Sequence, residues 1–308
     1  MPRSLVKYSA REWLRLRPVI DRKNHARYQL REMAALTRNA QPVPLPRLQG
    51  QKVLITISFN DPQVIDWQTK LIGRFVRDAI HVVADNSSKL SARREIQEIC
   101  LAANVAFVPV PGNPWLGSEK EGGKSHGYAL NWAWQNIIRE NRPLMAGFLD
   151  HDLFPVERTD PFRLLEGAIV AGLVRTTPDR RWYLWPGFAF FNMGRIGKSR
   201  LNFGRDWLDD FDTGGLNWHR LYRHIDKRDL CQARLERVPV APDVPVTDAL
   251  FERIDGWLHE SRFTTDINME PVRRQYLLGL KRNLVLETLR SCQLSDYPEV
   301  RGSPPDRA

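Results

Sequence analysis

Cysteine is scarce in this chain of 308 residues, and no long apolar run occurs in it. The three cysteines, Cys100, Cys231 and Cys292, are far apart and fit neither a disulfide framework nor a zinc pattern. Free thiols in a reducing compartment are therefore expected. No stretch approaches the roughly 20 apolar residues needed to cross a bilayer, and the first residues lack the apolar region of a signal peptide. The expected address is cytoplasmic, and peripheral contact with an anionic membrane is compatible with it. Zinc-finger and RNP-type signatures are also missing, which counts against nucleic acid as the partner. Acidic residues are outnumbered, 36 against 46 Lys and Arg, for a formal charge of +10. Such a surface favours anionic partners, whether phosphates, nucleic acid or acidic lipid. The excess is concentrated between Arg3 and Arg31 and again between Arg273 and Arg290. Against these absences stands a hydrophobic content of 42%, enough for a real core in one large domain or two small ones.

The order of elements is legible from periodicity. Tyr8 to Leu36 reads as a basic helix, and Gln41-Pro42-Val43-Pro44-Leu45-Pro46 as an extended linker. Val53 to Phe59 is a β-branched strand stopped by Asn60-Asp61-Pro62, and Ile65, Leu71, Ile72 and Phe75 then recur at helical spacing. His81 to Ala84 gives a second strand, closed by Asp85-Asn86-Ser87-Ser88. A helix through Ile96 and Cys100, a strand from Val105 to Val110, a helix from about Ser125 to Arg139 and a strand from Leu144 to Leu149 follow. This alternation predicts an α/β fold with a mainly parallel sheet and helices on both faces. Ligands in such sheets bind beyond the carboxyl ends of the strands. Asn60 and Asp61, Asp85 and Asn86, and Asp150 and Asp152 are expected to gather there. Hard carboxylate oxygens at a strand tip suit Mg²⁺ or Mn²⁺ carrying a diphosphate. Each of these residues alone is also an ordinary turn former.

From Lys52 to Phe263 the chain resembles the inverting glycosyltransferases of the GT-A fold, those like family 2. The likeness is carried by the strand ending near Asn60, by Asp85-Asn86-Ser87-Ser88, by Gly127-Tyr128-Ala129-Leu130-Asn131, and by the Asp-x-Asp at Asp150 and Asp152. It implies a GT-A-like (Rossmann-like), mainly parallel mixed sheet flanked by helices, over 49–263. A basic helical extension with a Pro-rich linker (1–48) and a basic helix with a loose tail (264–308) complete the expected organisation. The implied activity is metal-dependent transfer of a sugar from a nucleotide-diphosphate sugar to a hydroxyl acceptor, saccharide, lipid-linked or protein. The resemblance assigns the nucleotide base to Asp85, ribose and metal to Asp150 and the direct metal contact to Asp152. It lines the donor with Ser58, Asn60, Lys124, His126 and Asn131. The chain lacks the Gln/Arg-rich motif and long membrane helices of many family 2 members, which speaks against a processive polymer synthase.

The family's catalytic base is a carboxylate downstream of the Asp-x-Asp. Here Asp209, Asp210 and Asp212 qualify, and Asp212 is preferred because Gly214 and Gly215 after it permit close backbone approach, with Asp210 next. His259 falls where many such enzymes supply a third metal ligand. His151, between the two aspartates, is expected to point away from them. Trp185, in the aromatic run Trp182 to Phe188, is a candidate acceptor contact beside neighbours that read as core. Gly117 to Ser125 is one residue longer than a P-loop and is rejected as one. Asp160-Pro161 is read as a helix start. The competing functions are a nucleotidyltransferase, against which the glycine-free Ser58 to Pro62 turn argues, and a degenerate, non-catalytic basic binding protein.

Overall fold

The computed structural model describes residues 7–118, 121–197, 199–247, 250–261 and 269–291. Cys292 and the stretch 295–308, expected as a loose tail, lie outside the described residues. Cys100 and Cys231 are free thiols. Among the described residues no helix is long and apolar enough to cross a membrane.

The chain opens with helices α1 (Ala10–Leu14) and α2 (Arg17–Arg38). The alternating part then runs β1 (Lys52–Ser58), α3 (Pro62–Phe75), β2 (Ala79–Asp85), α4 (Leu90–Ala102), β3 (Ala106–Pro109) and α5 (Gly122–Ala133). A π turn (Trp134–Ile138) and α6 (Arg139–Asn141) extend α5 to the strand β4 (Met145–Asp150). The expected helix from Ser125 thus starts three residues earlier. After β5 (Leu153–Pro155) come β6 (Val170–Thr176), β7 (Trp182–Asn192), α7 (Asn217–Arg220), β8 (Leu230–Gln232), β9 (Leu235–Arg237), β10 (Glu252–Ile254), β11 (Trp257–His259) and α8 (Pro271–Ser291).

Seven strands form one sheet in the order β3-β2-β1-β4-β7-β6-β8. The four from β3 to β4 are mutually parallel, and β7 runs antiparallel to β4 and β6. This is the mainly parallel mixed sheet that the alternation predicts. Side chains of β1 alternate between two cores, as strand geometry requires. Val53, Ile55 and Ile57 pack in the cluster with α5 and α2, whereas Leu54 joins Ile72 of α3. A second, antiparallel sheet in the order β5-β11-β10-β9 begins directly after β4.

Both basic extensions are part of the cores. On α2, Tyr28, Ala35 and Leu36 join the central cluster. On α8, Leu277, Val285, Leu286 and Leu289 pack with Trp67 and Phe154.

Candidate metal centre

Parallel pairing levels the ends of three strands. Ser58 lies opposite Asp85, and Ile57 opposite Asp150. Immediately past β4 the chain turns through His151 and Asp152 into β5, and a buried relay of side chains holds that turn. Gln68 of α3 is fully buried and donates its amide hydrogens to the carbonyls of Asp150 (2.7 Å) and Leu153 (2.8 Å). Its own Oε1 accepts from the Thr56 hydroxyl at 2.7 Å. His81 lies 2.9 Å from the same hydroxyl, and burial pushes its imidazole pKa down to about 3. A neutral ring with the proton on Nε2 completes the chain of donors.

The second sheet delivers the third group. β11 pairs with β5 so that His259 sits opposite Leu153, which closes a gap of more than a hundred residues. The Glu260 amide then donates to the Asp152 carbonyl at 3.0 Å. Asp150, Asp152 and His259 present ligand atoms within 4.8 Å of one another. His259 Nε2 lies 3.6 Å from Asp152 Oδ1, and its Nδ1 lies 3.1 Å from Glu252 Oε2. Glu252 is thus the carboxylate that fixes the ring, leaving Nε2 directed at the aspartates. That arrangement is the usual way of orienting a histidine toward a metal.

Burial opposes charge on Asp152, yet His259 and His151 beside it hold its carboxyl below the ordinary aspartate value. Burial also opposes charge on His259, and Asp152 with Glu252 raises its pKa nonetheless. Two hard carboxylates and an imidazole form a donor set that fits Mn²⁺ and, less strictly, Mg²⁺. Trp185 packs against this centre, its ring 4.8 Å from that of His259, while Tyr183, Leu184 and Phe188 around it are core residues. From below, α8 supports the strand end. The buried Lys281 donates to the Glu260 carbonyl at 2.6 Å and to that of Ser261. Arg282 reaches both Glu260 and Asp61.

The remaining expected residues divide. His126 stands 3.3 Å from Asp150. His151 turns Nδ1 to the Ile57 carbonyl at 3.3 Å, away from the carboxylates it separates. Asn60, at positive φ, accepts from the amides of Ser88 and Lys89 and so clamps the loop after β2. Asp85 lies at the end of β2, opposite Ser58. Its carboxylate is fully buried, and its oxygens accept from Ser58 (2.8 Å), the Ser87 hydroxyl (2.6 Å), the Ser87 amide and Arg93 (2.8 Å). These bonds tie β1 to the loop after β2.

Asn131 lies between α5 and α2. Its Oδ1 accepts from the Phe203 amide, and its Nδ2 donates to Glu32 and Asn202 in a nearly closed interior. It docks α2 on α5. Lys124 stands near the start of α5. It pairs with Glu121 and lies over the rings of Trp207 and Tyr28, in a cleft of about 650 Å³ that Arg27, Arg31 and Trp115 also line.

Asp212 is exposed, ion-paired with Arg205 at 2.8 Å, and its neighbour Thr213 bonds the Gly123 carbonyl. That contact sets it beside the first turn of α5, the helix that carries His126. Asp210 points instead to Lys7 at 3.3 Å. Asp206, Asp209 and His219 form another group of potential ligands, but Arg181 lies 3.2 Å from Asp209 and already neutralises it. Asp160 accepts from the Phe162 amide and starts a 3₁₀ helix, as read from the sequence.

Glu252 and Gln68 escaped the sequence reading. Glu252 had a usable signal. Asp255-Gly256 is a two-residue hairpin turn, with both residues at positive φ. Counting outward pairs Ile254 with Trp257 and hence Glu252 with His259, the observed register.

No protein-family profile matches the sequence, and no curated protein matches it. Solved structures do match. One is the mannosyltransferase PcManGT from Pyrobaculum calidifontis in complex with GDP-Man and Mn²⁺, at 14% identity over 59% of this chain and 58% of that one, with a TM-score of 0.36. The bifunctional glycosyltransferase WbbM matches at 14% identity over 51% of this chain and 34% of its own, TM-score 0.35. An active-site mutant of LgtC matches at 11% identity over 75% of this chain and 96% of its own, TM-score 0.38. These are distant likenesses.

Proposed function

We propose that this chain is a metal-dependent glycosyltransferase that moves a sugar, with inversion, from a nucleotide-diphosphate sugar to a hydroxyl acceptor. The observation that carries the reading is the convergence of Asp150, Asp152 and His259 at the carboxyl end of a parallel sheet, with Glu252 orienting the histidine. When bound, a divalent cation supplies positive charge against the departing diphosphate.

The protein's own groups do the rest. Asp150, Asp152 and His259 hold the cation. Asn60 and Asp85 set the loop Asn86–Ser88 that flanks the strand ends, and the nucleotide lies against that loop. Trp185 offers a ring face beside His259 for a sugar. Asp212 takes the proton of the acceptor hydroxyl as that oxygen bonds the anomeric carbon. The bond from that carbon to the diphosphate oxygen breaks, and its electron pair leaves with the diphosphate. Asp212 is preferred over Asp210 because its loop abuts α5.

The test is the melting temperature with UDP, GDP, dTDP and CDP, each with and without Mn²⁺, on wild type and Asp152→Ala. One nucleotide is expected to stabilise the wild type only with Mn²⁺, by about 2.7 kcal/mol at a hundredfold excess over Kd. Asp152→Ala is expected to lose that shift. A wild type that responds to no nucleotide in the presence of Mn²⁺ would sink the proposal.

A further inference from the structure

The first two helices carry an apolar surface that the fold does not use. Seven of the twelve large hydrophobic residues that stand exposed among the described residues lie between Trp13 and Met33. α1 buries none of its residues, yet a Ser9–Glu12 capping box fixes it. Leu14 is 86% exposed at its end, and Leu16, 61% exposed, occupies the left-handed corner between the helices.

Along α2 a second apolar stripe continues from that corner. Val19, Ala26, Leu30 and Met33 follow at spacings of seven, four and three residues, which is one face of a helix, and all are exposed. The opposite face holds His25, Tyr28, Glu32, Ala35 and Leu36 against the domain. Arg11, Arg15, Arg22 and Lys23 are exposed around the apolar corner and stripe.

We infer that this surface docks the protein on an anionic membrane, with α1 and α2 lying in the plane of the interface. Apolar residues flanked by Arg and Lys on a helix that does not span the bilayer are what such binding requires. Charge complementarity selects this occupant. A second copy joined through the same stripe would set Arg22 and Lys23 near their own counterparts. A nucleic acid would match the cations and leave Leu14, Leu16 and Leu30 against water. The inference does not depend on the transferase reading.

Co-sedimentation of the full chain with vesicles decides it, using phosphatidylcholine mixed with phosphatidylglycerol and, separately, phosphatidylcholine alone. The wild type is expected to pellet with the mixed vesicles and to be released by salt. Leu14→Ser combined with Leu30→Ser is expected to abolish pelleting. Arg11→Gln, Arg15→Gln and Lys23→Gln together are expected to weaken it on the order of 100-fold. Melting temperatures should not change, since every substituted side chain is exposed. A wild type that stays in the supernatant with mixed vesicles overturns the inference. So does pelleting that the serine pair leaves intact, or a dimer, seen by sedimentation equilibrium, that the serine pair dissociates.

Discussion

In the proposed metal centre Glu252 orients His259 without being a ligand itself. Its bond to His259 Nδ1 decides which nitrogen faces Asp152, and Arg175 stands 3.9 Å behind it. Glu252→Gln retains an acceptor oxygen but loses the charge that strengthens the imidazole as a donor. Mn²⁺ affinity by calorimetry is expected to fall roughly 10- to 100-fold, with the melting temperature of the metal-free protein little changed. Gln68 acts from further out. Gln68→Ala strips donors from the carbonyls of Asp150 and Leu153, both beside a closed interior. A loss of about 3 kcal/mol in urea denaturation is expected, together with weaker Mn²⁺ binding because the turn is no longer held. The spacing Asp-x-Asp makes the two carboxylates readable from sequence. Gln68 was not, because nothing local marks a helix glutamine as the partner of a turn some 80 residues later.

At the scale of elements, α2 is docked through a group that titrates. Burial pushes the Glu32 carboxyl up to about 7, against a partial pull downward from the Asn131 and Tyr28 hydrogen bonds. Its folded pKa is raised, so the stability it contributes is fully present below about 4.5, where the unfolded chain is also protonated, and is lost as pH rises through about 7. Glu32→Gln removes the ionisation. The variant is expected to exceed the wild type by on the order of 2–3 kcal/mol at pH 8 and to match it near pH 4.5, as read from denaturation at the two pH values. The hairpin β10–β11 teaches the complementary lesson. Its Asp255-Gly256 turn specifies the register, and the register places Glu252 opposite His259, so this part of the site was available locally. The pairing of β11 with β5 was not, since two three-residue strands far apart in sequence carry no mutual signal.

Across the whole molecule, extensions that look like basic appendages in sequence complete the cores. Tyr28, Ala35 and Leu36 of α2 are buried in the central cluster, and Lys281 and Arg282 of α8 brace the strand end that carries His259. Removing residues 1–39 is expected to lower stability by roughly 5 kcal/mol in urea denaturation, the loss of burying three such side chains. A truncated chain as stable as the full one would show that α2 is an independent arm. Helix α2 thus has two faces, an inner one that packs on the domain and an outer one that is exposed.

Periodicity and turn chemistry by themselves determined the alternation of strands and helices, the mainly parallel sheet, and the gathering of Asp85, Asp150 and Asp152 at its carboxyl edge. These depend on local sterics and on burying one face of each element, which a sequence states directly. Only the tertiary structure decided that Ser58, Ser87 and Arg93 brace the buried Asp85 and that Asn131 bridges α2 and α5. It also decided that Glu252 and Gln68 support the centre and that both basic ends fold onto the domain. Those outcomes depend on which polar groups meet after the chain closes on itself, and a buried polar group takes whichever partner packing brings within reach.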